Sequence, residues 1–480
     1  MQSIMVSGNS ANRIDLVFFS DGYTEDERSK FFEDAQRLTA EIAINQTFYP
    51  VQPLLNFWAA FTPSAESGVG VLGVPKNTTF GLYRPGTELR GLYYSKPKVA
   101  DAACRSLGEQ CDYPILMGND PLYGGLGGRF TTITPSHANG ALILRHELGH
   151  SIIPVGEEYD GGYAYFGVNT ANSSRHVGWK HWLTDLVDEP RVERSVMPLQ
   201  DYTWTILNTS VPWSTKFSSA GTYARHLVRI SISGVPAQAD LRVELDGVSL
   251  GWRPRPEIGI DRSFYDFYRE EPLSAGHHQI AFTLLNEALE GVAQLCSVEV
   301  LEFGTDDEFS EKNETTYRPT NEDCLMRQVT ERDFCKVCLE GLWTTLLSRI
   351  DLIDDMSTKC VSNNEQGTLE QVLTLRTLAL GQFRARSMLD IVPSGHAHAS
   401  HHEALRDYAN DVNESVVIRW FKDGQELERF ANHSFIPVSA GIYRADVSLV
   451  TSDVRLDKDG VLMSSRNFIV DGGECRTMDV

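Results

Sequence analysis

The chain changes rhythm several times along its length, and each rhythm predicts a different element. Residues 14 to 21, IDLVFFSD, form an apolar run that predicts a buried strand. GYTEDERSKFFEDAQRLTAEI follows. Thr24 is a fitting N-cap there, and Phe31, Phe32, Ala35, Leu38 and Ile42 recur at the spacing of one helical face. FWAAFTP predicts a second strand, so the chain opens as an α/β unit. GGLGGRFTTITP, residues 124 to 135, reads as a Gly-rich turn and a strand. Its Gly-x-x-Gly-Gly is no dinucleotide fingerprint, because a strand follows it rather than a helix. From Ser136 to Ile153 the pattern predicts a helix capped by Ser136, with Ala141, Leu144, Leu148 and Ile152 on its buried stripe. Pro154 stops it.

Between about 225 and 303 apolar and polar residues alternate, in VRISISG, LRVELDG and HHQIAFTLLN, broken by Gly, Pro and Asp. This predicts an antiparallel β-sandwich inserted into the first domain. An acidic connecting loop follows, and then CKVCLEGLWTTLLSRIDLIDDM, which reads as helix. From about 370 onward SVVIRWFKDGQELERF and AGIYRADVSLVTSDVRL alternate again. Trp420, a Lys-Asp-Gly turn and Tyr443 suggest an immunoglobulin-like sandwich. The expected organisation is a mixed α/β (α+β) domain in two parts, 1–224 and 304–365, an insert at 225–303 and a carboxyl-terminal β domain at 366–480.

Composition narrows the function classes. A chain of 480 residues exceeds one ordinary core. Its formal net charge of -22 argues against nucleic acid or an anionic membrane as a partner. No apolar run is long enough to span a bilayer. The amino terminus lacks a charged region followed by an apolar run, so no secretory signal is visible. Seven Asn-x-Ser/Thr sequons, at Asn45, Asn77, Asn172, Asn208, Asn313, Asn413 and Asn432, point the other way. Eight cysteines, with Cys104 and Cys111 bracketing CRSLGEQC and with Cys324, Cys335 and Cys338 clustered, favour disulfides in an oxidising compartment. The expectation is a secreted protein.

The chemistry concentrates in RHELGHSIIPVGEEYDGG, residues 145 to 162. His146 and His150 stand four apart, so both imidazoles leave one face of the helix and can reach one cation. Glu147 lies beside them, placed to meet a water rather than the metal. Glu157 and Glu158 follow the helix stop, and a chain that reverses near Pro154 to Gly156 can return either one as third ligand. His176, His181 and Asp160 are outside candidates. GHAHASHH, residues 395 to 402, holds four histidines, but a solvated loop is its expected fate.

In these motifs the sequence resembles the IgA-peptidase (igalysin) family of metzincin zinc metallopeptidases. The resemblance rests on RIDLVFFSDGYTEDE, on HELGHSIIPVGEEY, and on TYRPTNEDCLMR followed by FCKVC. It covers about residues 12 to 220 and 304 to 350, and neither β region. It implies a metzincin-like zinc peptidase domain and a single catalytic Zn2+. In metzincins the helix ends at a Gly three residues after the second histidine, and the third ligand comes three later. Counted literally this reaches Ile153 and Gly156; shifted by one it reaches Pro154 and Glu157. Glu157 is therefore preferred, with Glu158 as runner-up. The family's motif continues to Asp-Glu-Tyr where this chain has Glu-Glu-Tyr, and Pro154 stands where Gly is expected. The resemblance also implies a Met-turn beneath the metal, matched by Met326, with Met197 as the alternative.

The implied function is a secreted zinc endopeptidase that cuts extracellular proteins, with Glu147 as the base. Tyr159 and Tyr163 are near enough in sequence to hold an oxyanion, and neither is assigned. The strand GRFTTITP precedes the helix as an edge strand does in metzincins, and an extended substrate would pair with it. The competing reading is a cell-surface module whose β domains bind glycan or protein, with the zinc domain as scaffold; an intact Glu147 argues against it. Calcium comes into question only at GTDDEFSEKNE, residues 304 to 314, which lacks the spaced ligands and glycine of a calcium loop.

Overall fold

The computed structural model describes residues 1–43, 47–158, 166–183, 194–305, 317–320, 323–328, 331–363, 368–384 and 414–471. It is a mixed α/β chain, mostly strands in several sheets with few helices. It divides into two compact units, one of Met1–Ile4, Leu16–Thr47 and Phe57–Leu339, the other of Met5–Asp15, Phe48–Asn56 and Glu340–Val480.

The amino-terminal elements are β1 (Gln2–Val6), β2 (Ile14–Asp21), α1 (Arg28–Ile42), β3 (Leu55–Ala60), β4 (Leu82–Tyr83), β5 (Tyr93–Tyr94), α2 (Pro97–Arg105), β6 (Tyr113–Gly118), β7 (Gly125–Leu126), β8 (Thr131–Ile133) and α3 (Gly140–Ile152). One six-stranded sheet runs in the order β1-β3-β2-β6-β8-β7. Strands β2, β6 and β8 are parallel, and β7 returns antiparallel to β8. Every residue of β2 is buried, as its unbroken apolar run requires. Val17, Phe19, Leu116 and Phe130 share a core cluster with Val69, Phe80, Leu82, Leu92 and Ala100. Asp21 ends β2 and accepts from the backbone N–H of Phe80 and Leu82 and from the Thr78 hydroxyl, which ties the following loop to the sheet.

Helix α1 buries Phe31, Ala35, Leu38 and Ile42 and leaves Phe32 half-buried. A short 3-10 turn over Glu25–Glu27 precedes it, where the Thr24 N–H donates to Glu27. Helix α3 packs on α1 and along β8. Arg145 of α3 donates to the carbonyls of Glu41 and Ile42 and so closes the end of α1.

Two expectations here need correction. The motif helix begins at Gly140, not at Ser136. The Ser136 hydroxyl accepts from Asn139 N and donates to Asp261 Oδ2, which holds residues 136–139 as a turn ahead of the helix. The helix is also buried nearly all round rather than on one stripe; Ile143, Arg145 and His146 are buried and Ala141 is not. The other correction concerns the sheet edge. Strand β8 lies between β6 and β7, so Gly125–Leu126 forms the edge.

The insert is a two-sheet sandwich. Its strands are β9 (Arg194–Asp201), β10 (Thr205–Ile206), β11 (Trp213–Ser219), β12 (Arg225–Ser233), β13 (Leu241–Leu245), β14 (Val248–Ser249), β15 (Ser263–Arg269), β16 (Gly276–Leu284) and β17 (Gln294–Thr305). One sheet runs β10-β17-β12-β15 with β9 also on β17, the other β11-β16-β13-β14, and they share a core that includes Val228, Ile230, Phe282 and Val300. The two sheets begin at Arg194 rather than at 225. Strand β9 carries Pro198 at a register shift against β17, and β11 is largely polar, so neither shows the clean alternation of β12 or β16.

Helix α4 (Lys336–Leu347) is shorter than expected, because Ile353 already opens β18 (Ile353–Asn363). With β19 (Thr368–Thr377), β20 (Glu414–Lys422), β21 (Gln425–Glu426), β22 (Phe435–Pro437), β23 (Gly441–Thr451) and β24 (Met463–Val470) it makes sheets β18-β19-β22 and β21-β20-β23-β24. Trp420 and Tyr443 are buried, and the Trp420 indole donates to the His433 carbonyl. Asp423 and Gly424 both take positive φ, 49° and 84°, in the tight turn after β20.

Candidate metal centre

Helical spacing brings His146 and His150 to one side of α3, with their Nε2 atoms 3.2 Å apart. Beyond Ile152 the chain leaves the helix at once. Ile153 is extended (φ -103°, ψ 144°), as a residue before proline must be, and the exit needs no left-handed glycine. This accounts for Pro154 at a position where Gly was expected. Val155 bridges Gly167, and Glu157 folds back against the histidines. Its Oε1 lies 3.0 Å from His150 Nε2 and 3.5 Å from His146 Nε2.

The outer contacts fix the imidazoles. His146 Nδ1 is 3.1 Å from the Leu325 carbonyl oxygen, and His150 Nδ1 is 3.3 Å from that of Val155. A carbonyl only accepts, so each Nδ1 carries the proton and each Nε2 presents a lone pair inward. Two Nε2 atoms and a carboxylate facing one point call for positive charge between them, either a proton on an Nε2 or a metal ion. Burial opposes charge on His146, yet Glu157 outweighs it and pushes that imidazole up to about 9. Burial likewise raises Glu157, and the two imidazoles outweigh it and hold its carboxyl well below the usual range. A tetrahedral zinc with bonds of about 2.0–2.1 Å sets its donors about 3.3 Å apart. The observed separations bracket that value, so the donor set fits the ion.

Glu147 lies beside the pair, with a carboxylate oxygen within 4.8 Å of both histidine donor atoms, under the Gly-rich turn. A Cβ built on Gly127 would stand 3.0 Å from both the Glu147 carbonyl and its Oε2. Burial pushes Glu147 above the ordinary carboxylate value, with both histidines working against it and the Gly127 N–H donating to it. Below the helix, Met326 is fully buried, and a Cβ on Gly149 would be 3.1 Å from its Sδ. Met197 packs instead beside Leu227, Leu301 and Phe303 in the insert.

Glu158 turns away from this centre. Its Oε1 accepts from Asn169 Nδ2 at 2.7 Å, its backbone N–H donates to the Met326 carbonyl, and Cys338 Sγ is 3.8 Å from it. Burial, helped by Cys324, pushes Glu158 well above the ordinary value, and Asn169, Arg318 and Arg327 only partly offset it. Neither Asn169 nor Gly127 was singled out from the sequence. Asn169 is a lone buried amide in no recognisable motif, whereas Gly127 sits in a Gly-rich stretch that did carry a signal. His176 is exposed and the His181 ring lies tilted beside Trp182, neither grouped with the pair. Tyr159, Asp160, Tyr163 and residues 395–402 lie outside the described residues, as does most of 304–314.

Cys104 and Cys111 are joined in a disulfide, and Cys360 is disulfide-bonded. The sequon residues Asn77, Asn172, Asn208 and Asn432 are exposed; the other three lie outside the described residues. No described helix is long and apolar enough to cross a membrane.

Comparison with known proteins agrees with the site. No curated protein matches the chain. Solved structures similar to parts of it include the carbohydrate-binding module CBM36 in complex with calcium and xylotriose (12% identity, 23% of this chain and 98% of that one, TM-score 0.15). FLHE is another (14% identity, 26% and 95%, TM-score 0.14). A third is an exo-beta-1,3-galactanase from Phanerochaete chrysosporium with galactose (15% identity, 23% and 30%, TM-score 0.15). Scores this low carry no argument about fold or ligand. The family model described as IgA Peptidase M64 matches residues 3–218, which contain β2, α1 and the whole of the His146–Glu157 cluster. Over that segment, which is under half of its length, the chain is similar to the family described as IgA Peptidase M64.

Proposed function

We propose that the protein is a secreted, zinc-dependent endopeptidase, with His146, His150 and Glu157 as the protein ligands of one catalytic zinc and Glu147 as the general base. The observation that carries this is the convergence of His146 Nε2, His150 Nε2 and Glu157 Oε1 within 3.0–3.5 Å, with Glu147 alongside. When bound, zinc supplies Lewis acidity, which makes water acidic enough to attack near neutral pH.

The chain's own residues do the rest. A Glu147 carboxylate oxygen takes a proton from the attacking water as the new C–O bond forms. The same oxygen then gives it to the amide nitrogen as the C–N bond breaks. The Leu325 and Val155 carbonyls hold the imidazoles in the tautomer and orientation that ligation needs. Met326 packs under Gly149 and supports the floor of the site, the part a Met-turn plays in metzincins. The terminal strand of the sheet, Gly125–Leu126, runs into Gly127 above Glu147. An extended peptide added to that edge would carry its scissile bond toward the base. The disulfide and the exposed sequons support an oxidising, extracellular setting.

The test is a cleavage assay of the purified protein and its Glu147→Gln variant on peptides digested from a whole proteome, read by mass spectrometry. Cuts made by wild type and missing from the variant are the expected result, and their alignment gives the specificity. Equal patterns from the two proteins, with zinc bound in both, would overturn the assignment.

A further inference from the structure

We propose that the chain holds a second, structural zinc ion, bound by Glu158, Cys324, Cys335 and Cys338. One donor atom from each of the four lies within 4.8 Å of the others, and all four residues are buried. Cys324 and Cys338 have their sulfurs 3.8 Å apart, and Cys338 Sγ is 3.8 Å from Glu158 Oε1. Zinc–sulfur bonds of about 2.3 Å in a tetrahedron set two sulfurs about 3.8 Å apart, and a sulfur and an oxygen about 3.6 Å apart. A disulfide would need about 2.04 Å. The spacing observed is that of ligands around an ion.

The local structure is built for thiolates. Cys335 immediately precedes α4 (Lys336–Leu347) and Cys338 lies in its first turn, so the Cys-x-x-Cys pair faces one centre at the positive end of a helix. The Cys335 backbone N–H lies 3.3 Å from Cys324 Sγ, a donor aimed at sulfur. On the other side the Asn169 amide orients the Glu158 carboxylate through Oε1, while Oε2 is buried without a hydrogen-bond partner. A carboxylate sealed among three sulfurs, with one oxygen unsatisfied, is costly unless a cation joins them. Three thiols also cannot all pair with one another, whereas zinc uses all three together with the carboxylate. Soft sulfur donors with one oxygen in a closed tetrahedron select zinc over calcium or magnesium.

The site would join three pieces of chain that surround the candidate catalytic centre. Glu158 is the neighbour of Glu157, Cys324 is two residues before Met326, and Cys338 anchors α4. The ion itself stands apart from the catalytic reading; only its consequence for positioning Glu157 rests on that reading.

The test is a metal count on the full chain, produced with zinc in the medium and purified without chelator. Two zinc ions per chain are expected in wild type. One is expected to remain in the His146→Ala/His150→Ala variant, and one also in Cys335→Ser/Cys338→Ser. Loss of all zinc from the histidine variant would overturn the proposal, while loss of none from it would count against the catalytic site instead. Because the cysteine variant can fail through misfolding, the histidine variant is also loaded with cobalt. A thiolate-to-cobalt charge-transfer band in the near ultraviolet is expected, which the nitrogen and oxygen donors of the other site cannot give; its absence would overturn the proposal. Peptide mapping after alkylation without reductant should find Cys324, Cys335 and Cys338 all alkylated. A linked Cys324–Cys338 pair would assign the cluster to a disulfide and sink the zinc.

Discussion

Gly149 of the motif helix sits directly on Met326: a Cβ added to that glycine would be 3.1 Å from the Met326 Sδ and 2.8 Å from the Phe334 ring. Both neighbours are buried, at 0% and 4% exposure, so neither side chain can swing into solvent to make room. In an open helix alanine would be favoured over glycine by roughly 1 kcal/mol. Overpacking a closed core costs about 1–3 kcal/mol, and here it outweighs propensity. Gly149→Ala should therefore lower the melting temperature and reduce activity together. A raised melting temperature would show that the contact is looser than its geometry implies.

Gly127 limits the space over the base. Its Cβ would meet the Glu147 carbonyl, Glu147 Oε2 and His150 Cβ, each at 3.0 Å. Gly127→Ala should displace the Glu147 carboxylate by a few tenths of an ångström and press on His150 only at its Cβ, leaving His146 and Glu157 untouched. The expected outcome is a fall in kcat, up to on the order of 10²-fold for a full ångström of misplacement, with zinc content unchanged. A variant that loses zinc as well would show that the turn supports the ligands rather than the base.

The adjacent carboxylates should separate cleanly. Glu157→Gln removes the oxygen 3.0 Å from His150 Nε2 and should abolish cleavage together with one zinc. Glu158→Gln keeps the hydrogen bonding of an amide next to Asn169 and leaves both histidines untouched. It should lower stability more than it lowers kcat per correctly folded chain. Zinc content, melting temperature and active-site-normalised kcat measured on both variants decide it, and a reversal of the two phenotypes would exchange the roles of the glutamates.

What the sequence could say follows from how local each feature is. The β2 run, the α1 face and the juxtaposition of His146 with His150 are matters of spacing within one element, and Pro154 marks its own helix stop. The Trp420 strand and its Lys-Asp-Gly turn are equally local. The start of α3 was misjudged because the Ser136 hydroxyl serves Asp261, 125 residues away, in preference to a helix cap. Strands β9 and β11 were missed because Pro198 and a run of Ser, Thr and Lys break the alternation that pairing with β17 and β16 restores. The company Glu158 keeps lies 166 to 180 residues downstream, and no periodicity connects it to Cys324 and Cys338.

The insert carries a pH-dependent element of its own. His278 is buried and uses both ring nitrogens, Nδ1 to Asp246 Oδ2 at 2.6 Å and Nε2 to the Ser274 carbonyl at 2.8 Å. Both partners accept, so the imidazolium fits and the neutral ring can donate only once. Burial lowers the His278 pKa, but Asp246 and Ser274 outweigh it and the net shift is upward. Burial raises Asp246, and the hydrogen bonds from His278 and the Gln279 N–H outweigh it, so Asp246 shifts down. A raised histidine stabilises the fold fully below its unfolded value of about 6.5, and that contribution is lost as pH rises through the folded value. A lowered aspartate stabilises it above its unfolded value of about 3.9, and that contribution is lost as pH falls through the folded one. The pair therefore contributes most between about pH 4 and 6.5, and the melting temperature of the compact unit that contains the insert should fall on going from neutral to alkaline pH. His278→Gln should flatten that slope at the alkaline side. Equal slopes in wild type and variant, followed by differential scanning calorimetry, would remove His278 as its source.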